Sequence, residues 1–323
     1  MCDLVLHIDS VCSQPLSLLR IETNRSITMS QRQAASLLAC AFFCLFPNRS
    51  HQTLSKEYEN YQDPNFETSR FPQWPDLNTG LCDLHLTTGK KIEDINSVLQ
   101  VDFANKYIGG GVLSAGCVQE EIRFTICPEM LVSLLVCEMM QKNECIFLIG
   151  CERYSSYKGY ANSFQFGGNY EDKTPRDSWG RRWCHVVAMD AIYFRRPSDQ
   201  YNIKLIEREL LKAYTSFRPL GKGSDYEFGI ATGNWGCGAF NGDRQLKAII
   251  QLMAASEARR PLIYAAYGDK NLITSFSVLH DYLKEQGATV RDLYYYLHRY
   301  CDEQHQEPLF EYILMTSVSK LKC

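Results

Sequence analysis

The chain has 323 residues, 45% of them hydrophobic and 22% charged, so it has the apolar content to build a core and too much of it for wholesale disorder. Lys and Arg total 34 against 37 Asp and Glu, a formal net charge of −3, which argues against a protein that grips nucleic acid by broad counterion release. No apolar run reaches the ~20 residues a membrane crossing needs. Residues 1–13 carry Asp3 and Asp9 where a secretory signal would be basic, so the expected location is cytoplasm or nucleus.

The first thirty residues mix short apolar runs with Ser, Pro and Asn and yield no assignable element. Ser30 and Gln33 then form a capping box ahead of the apolar stretch 34–46, which Pro47 and Asn48 stop, predicting one mostly buried helix. Residues 48–79, rich in Asn, Asp, Pro and Tyr, read as a connecting segment and place a boundary near 80. This divides the chain into a helical accessory region, 1–80, and an α/β domain, 81–323. Strands are expected at 81–86, 98–103, 145–149, 184–194, 228–232 and 262–267. Helices are expected at 128–140, opened by Pro128, and at 203–217, 243–258 with Asp243 as cap, 272–286 and 290–301. The alternation favours parallel strand pairs.

The 14 cysteines contain no CxxC pair and the seven histidines no HxxxH or HExxH spacing, so neither a disulfide framework nor a metal site is expected. The densest chemistry lies in residues 101–124, VDFANKYIGGGVLSAGCVQEEIRF. Gly109, Gly110 and Gly111 can take positive φ and aim N–H groups at an anion such as a diphosphate. They are not a dinucleotide fingerprint, because Ser114 stands where the third glycine belongs and no helix is evident there. Glu120 and Glu121 on a regular strand would face opposite ways, so both reach one pocket only from a bend or bulge. Together in a pocket, repulsion and burial would favour the protonated form of one, the state a proton donor needs; a solvated surface pair is the plainer alternative.

Residues 231–240, ATGNWGCGAF, sit between a strand and a helix, an order that suits a diphosphate, although a tight turn can need glycines for shape alone. Residues 154–166, YSSYKGYANSFQF, offer aromatics that can stack on a base or merely pack locally.

VDFAN, GGG followed by QEE, YxxYxGY and ATGNWGCGAF occur in the order and spacing of one family, and from about residue 29 to about 304 the chain resembles poly(ADP-ribose) glycohydrolase. That resemblance implies a macrodomain, a mixed sheet flanked by helices that holds ADP-ribose, after a short, mainly helical accessory region. It implies a glycosidase that cuts the ribose–ribose O-glycosidic bonds of poly(ADP-ribose), mainly from chain ends, and releases ADP-ribose. Its partners would be poly(ADP-ribose) and poly(ADP-ribosyl)ated proteins in the DNA damage response. No cofactor, no metal, no nucleic-acid or membrane partner and a monomeric state are expected.

Position by position, Glu121 matches the catalytic acid/base, while Glu120 and Asp102 match residues that orient the ribose. Gln119 belongs to the signature, and Asn105 and Asn234 resemble ribose-site or loop positions. Gly110 and Gly111 resemble one diphosphate loop, and Gly238, Ala239 and Phe240 a second. Tyr160 matches the tyrosine that clasps the adenine side, and Tyr267 falls where vertebrate members have phenylalanine. Set beside that family, the sequence is expected to start partway into the accessory region of longer relatives, without their N-terminal regulatory extension, and to be shorter than vertebrate members between Asn65 and Leu81. A macrodomain that binds ADP-ribose without hydrolysing it would share the fold and loops but has no need of the Gln119-Glu120-Glu121 run. A nicotinamide-dependent oxidoreductase is disfavoured by the missing fingerprint.

Overall fold

Short runs rich in Val, Ile, Leu and Ala form most of the strands β1 (Leu84–Thr87), β2 (Val98–Ala104), β3 (Ile146–Ile149), β6 (His185–Asp190), β7 (Gly229–Gly233) and β8 (Leu262–Ala265), while the more polar β4 (Ser155–Lys158) and β5 (Gln165–Asn169) form a separate hairpin. Six of them make one mixed sheet in the order β1-β8-β7-β2-β6-β3, parallel except for β3, which runs antiparallel to β6. Residues of β2, β6 and β7 are buried on both alternating faces. That is why they read as unbroken apolar runs rather than as a period of two. The chain, a computed structural model, is described over residues 1–14, 16–21, 23–43, 45, 71–219, 228–303 and 307–321.

The longer helices are α1 (Gln31–Phe42), α2 (Gln119–Ile126), α3 (Ile203–Phe217), α4 (Arg244–Glu257), α5 (Lys270–Glu285), α6 (Val290–Asp302) and α7 (Leu309–Met315). By packing, the chain divides into two units. One draws on Met1–Arg70, Tyr107–Gln141 and Cys151–Asp172 and holds α1, α2 and the β4–β5 hairpin. The other draws on Phe71–Lys106, Lys142–Gly150 and Lys173–Cys323 and holds the six-stranded sheet with α3 to α7. Its core includes Leu210, Ile249, Met253, Phe276 and Phe310. The Phe276 ring stacks on Phe310 at 5.5 Å between centroids and meets Tyr264 edge-on at 5.6 Å.

The capping box of α1 forms as expected: Ser30 Oγ accepts from the Gln33 N–H at 3.2 Å, and Gln33 Oε1 accepts from the Ser30 N–H at 2.8 Å. The helix ends at Phe42, short of residue 46, with Phe42 and Phe43 exposed, while Ala34, Ser36, Leu37, Ala39 and Cys40 are buried. The expected stop at Pro47 and Asn48, and the connecting segment as far as residue 70, lie outside the described residues. Among those described, no helix is long and apolar enough to cross a membrane.

Three expectations are corrected. Residues 128–140 do not form one helix: a 3-10 turn, Pro128–Val132, leads into a short α-turn, Ser133–Val136, and then extended chain. The cause is tertiary, because Leu19 N–H donates to Val136 O at 2.7 Å and Glu138 N–H to Leu19 O at 3.2 Å, pulling the chain into a bridge. Residues 154–166, where no strand is expected, run through the β4–β5 hairpin. The N-terminal residues, left unassigned, contain two short helical turns, Cys2–Leu6 and Ile8–Val11. The expected helix at 203–217 matches α3 residue for residue, and α5 starts two residues early because Asp269 Oδ1 caps it through the Leu272 N–H at 3.0 Å.

Truncating Phe276 leaves a void among Tyr264, Phe310 and their neighbours. Phe276→Ala should lower unfolding free energy by about 3–5 kcal/mol, read as a shifted urea midpoint at unchanged slope.

Candidate active site

The Gln119-Glu120-Glu121 run lies in the first turn of α2, not on a bent strand. Successive helical residues are separated by about 100°, so neighbouring side chains can share one side without a kink. Glu120 Oε1 accepts from the Gly109 N–H at 2.6 Å. Glu121 Oε1 accepts from the Gly111 N–H at 2.9 Å, and its Oε2 from the Val118 N–H at 3.0 Å. Both acids are buried, at 3% and 7% exposure, which excludes the solvated-pair alternative. Reaching back from the third helical position to the Val118 amide, Glu121 is half of a capping box. Val118 offers no side-chain acceptor in return, so the start of α2 carries no Ser, Thr, Asp or Asn to announce it.

The glycine triplet therefore does something other than its sequence suggests. The Gly110 N–H donates to Tyr107 O at 3.1 Å, and the other two amides hold Glu120 and Glu121. All three donors meet acceptors of the protein itself. Positive φ is used at Gly109 (87°) and Gly110 (50°). A Cβ on Gly110 would stand 2.6 Å from both Glu120 Oε2 and Glu121 Oε1, and one on Gly116 would stand 2.7 Å from Glu121 Cγ, Cδ and Oε1. These two positions are glycine because carboxylates occupy the space a side chain would take.

In the same unit, the turn joining β4 to β5 places the half-buried Tyr160 just after Gly159, whose φ is 72°. The Tyr160 N–H donates to Ser163 Oγ at 3.0 Å, and the Ala161 N–H donates to Cys117 O at 3.0 Å, which ties this turn to the loop that precedes Gln119. Gln119 itself is half-buried at the first position of α2.

In the other unit, Asp102 is fully buried near the end of β2 and Asn105 follows that strand. Asn234 follows β7 and Tyr267 follows β8, so these positions lie at the C-terminal edge of three adjacent parallel strands. Open parallel sheets bind ligands at that edge. Tyr267 is 66% exposed with φ of 46°, a left-handed conformation uncommon for a bulky residue.

The second glycine loop, between β7 and α4, is built as a shaped platform. Tyr264 OH donates to Asn234 Oδ1 at 3.0 Å. The fully buried Gln251 accepts from Thr232 Oγ1 at 2.6 Å and donates to Gly233 O at 3.0 Å, and the Trp235 indole N–H donates to Met189 O at 3.0 Å. Among the described residues none accepts from the N–H groups of Gly238, Ala239 or Phe240. Three consecutive amides with no internal acceptor leave donors available to an anion. The start of α4, expected to favour a diphosphate through its dipole, already carries the Asp243 carboxylate, which accepts from the Leu246 N–H at 2.8 Å. Any anion here is thus held by the loop amides. Burial pushes the Cys237 thiol far up, which favours its protonated form at neutral pH.

Beneath this loop lies a cluster of buried charges. Lys247 on α4 pairs with Glu209 on α3 and places its ammonium 4.0 Å from the centre of the Trp235 ring. Arg208 bridges Glu209 and Asp190, and Lys212 meets Asp190 at 2.7 Å. Burial, with the Arg208 charge, pulls the Lys247 ammonium well toward its neutral form, while Asp190 opposes that pull.

Residues 71–274 match the family described as Poly (ADP-ribose) glycohydrolase (PARG), Macro domain fold, and residues 1–73 match its helical domain. A mixed sheet with flanking helices and glycine loops, preceded by a helical segment, is thus a macrodomain with its accessory domain. The chain belongs to the poly(ADP-ribose) glycohydrolase family. It is 32% identical to poly(ADP-ribose) glycohydrolase 1 of Arabidopsis thaliana, over 78% of this chain and 66% of that protein. It is 40% identical to poly(ADP-ribose) glycohydrolase 1 of Caenorhabditis elegans, over 63% of this chain and 27% of that protein. To the probable poly(ADP-ribose) glycohydrolase 2 of Arabidopsis thaliana it is 30% identical, over 92% of this chain and 73% of that one. The chain therefore spans just under two thirds of the first of these relatives and about a quarter of the second.

Glu209→Gln would leave Arg208, Lys212 and Lys247 facing Asp190 alone. The variant should lose about 3–5 kcal/mol of stability in denaturant titration, part of it recovered by adding Lys247→Met.

Proposed function

We propose that this chain hydrolyses the ribose–ribose O-glycosidic bonds of poly(ADP-ribose), mainly from chain ends, releasing ADP-ribose. The observation that carries the reading is the pair of buried carboxylates, Glu120 and Glu121, held by the amides of Gly109, Gly111 and Val118. A module that only binds ADP-ribose does not require two buried acids at the start of a helix, where each costs desolvation.

In the proposed reaction the bond between the anomeric C1 of one ribose and the 2′-oxygen of the preceding unit breaks. Protonated Glu121 gives its proton to the departing oxygen as positive charge develops on the sugar. As a carboxylate it then takes a proton from the water whose oxygen bonds to C1, which restores the starting state. A protonated carboxyl keeps lone pairs on both oxygens, so the Gly111 and Val118 amides can hold it throughout the cycle.

Glu120 and Asp102 orient the ribose, with Gln119, Asn105 and Asn234 completing its surroundings. Gly238, Ala239 and Phe240 offer their N–H groups to the diphosphate, whose charge also stabilises the cationic sugar. Gly110 and Gly111 border the diphosphate with their main chain, Tyr160 lies against the adenine, and Tyr267 shapes the remaining wall. The substrates are poly(ADP-ribosyl)ated proteins of the cytoplasm or nucleus, and no broad basic groove is required.

Labelled polymer incubated with the wild-type chain should yield free ADP-ribose. Glu121→Gln should slow that release by about 10²–10⁴-fold while ADP-ribose affinity persists; near-normal turnover would refute the assignment. Gly116→Ala should displace the Glu121 carboxylate and lower kcat by about 10²-fold with KM little changed, measured on the same polymer.

A further inference from the structure

Two of the chain's four tryptophans, Trp74 and Trp235, are buried, whereas Trp179 is 71% exposed and Trp183 47% exposed. The exposed pair stands on one short turn within residues 174–183, TPRDSWGRRW. The Trp183 N–H donates to Pro175 O and the Asp177 N–H to Arg181 O, both at 2.8 Å, and Arg176 bridges to Arg182 across the strands. Asp177 organises the tip: Oδ1 accepts from the Trp179 and Arg181 amides at 2.9 Å each, and Oδ2 accepts from Arg181 Nε at 2.7 Å. Gly180 turns the chain with φ of 77°, and Arg176 Nη1 donates to its carbonyl at 2.7 Å. The result is a hydrogen-bonded tip that displays an indole.

Trp183 packs edge-on against Phe228, with ring centroids 6.0 Å apart. Among the described residues Trp179 has no such aromatic neighbour; the Arg181 guanidinium carbon lies 4.9 Å from its ring centre. A held indole beside a guanidinium suits one ligand chemistry, a flat heterocyclic base linked to phosphate, because the base stacks and the cation meets the anion. The charge is local: Lys173, Arg176, Arg181 and Arg182 stand against Asp177, with Glu171 and Asp172 just upstream. Stacking therefore leads and electrostatics assists.

The turn feeds directly into β6 at His185, the N-terminal edge of the parallel strands, where His185 pairs with Leu99 of β2. Asp102 and the open amides of 238–240 belong to the C-terminal edge, and β6 alone spans about 16 Å. A base on Trp179 is thus a different group from one served by the second glycine loop. A single stack is weak on its own, so it helps only a ligand anchored elsewhere on the protein. A polymer with an adenine and a diphosphate in every unit meets that condition.

We propose that the 174–183 turn is a second, non-catalytic contact for poly(ADP-ribose), on which the adenine of an interior unit stacks against Trp179 beside Arg181. The proposal rests on the reading of the chain as one that acts on this polymer. Its test compares wild type and Trp179→Ala on polymer tens of units long and on a two-unit substrate. Trp179→Ala should raise KM for the long polymer roughly tenfold, with kcat and the two-unit KM unchanged, and Trp179→Phe should restore most of the loss. An unchanged long-polymer KM, or an equal rise on both substrates, overturns the proposal. Direct binding of long polymer and of single-stranded oligoadenylate RNA forms the second arm. RNA binding that matches the polymer and is lost equally in Trp179→Ala would assign the turn to nucleic acid and overturn it. If wild type hydrolyses neither substrate, the proposed activity fails, and loss of long-polymer binding in Trp179→Ala still decides the turn's role.

Discussion

Two hydrogen bonds, from the Gly109 and Gly111 amides to Glu120 and Glu121, constrain the chain around the start of α2. A buried carboxylate is costly unless it is met by donors, and a charge-assisted bond contributes about 1.5–3 kcal/mol toward that cost. Two carboxylates packed this closely on the main chain leave no room for a Cβ at the positions they cover. That requirement accounts for glycine at 110 and 116, where a methyl group would fall within 2.7 Å of the acids. It also accounts for the start of α2, since Glu121 satisfies the Val118 amide that the helix leaves without a partner.

The two glycine loops divide the available donors between them. An amide N–H carries one proton and serves one strong acceptor at a time. The triplet at 109–111 engages its amides with acceptors of the protein. The loop at 234–242 leaves those of Gly238, Ala239 and Phe240 without an internal acceptor. Its shape is supported from below by Gln251, Tyr264 and Trp235, each a polar side chain satisfied inside the core. The buried charges around Asp190 and Glu209 join the end of β6 to α3 and α4, fixing the ground on which that loop stands. The residues that hold this platform are thus mostly not the ones a ligand would touch.

Much of the sheet domain was legible because its signals are local. The apolar runs at 98–103 and 228–232 and the helix at 203–217 are near their observed places, and Asp243 caps α4 as its position suggests. Where a helix lacked its usual punctuation the reading failed. Val118 cannot accept a hydrogen bond through its side chain, so Gln119-Glu120-Glu121 looked like strand, although a Glu at the third position of a helix is itself a weak signal of a start. The 128–140 segment has a proline and an apolar run fit for a helix, yet pairing with Leu19, more than a hundred residues away, draws it out. The support of the second loop by Gln251, Tyr264 and Lys247 was missed altogether, because nothing in their immediate neighbours marks them.

The order of residues by itself determined the strand and helix alternation, the family signature and the identity of the acids, because these depend on short-range pattern and side-chain chemistry. Only the tertiary structure decided that the glycine amides face carboxylates, that three amides of the other loop face none, and that Trp179 is displayed while Trp235 is enclosed. An amide has the same chemistry at every position in the sequence. Which acceptor it meets is set by the chain segments that folding brings within 3 Å of it.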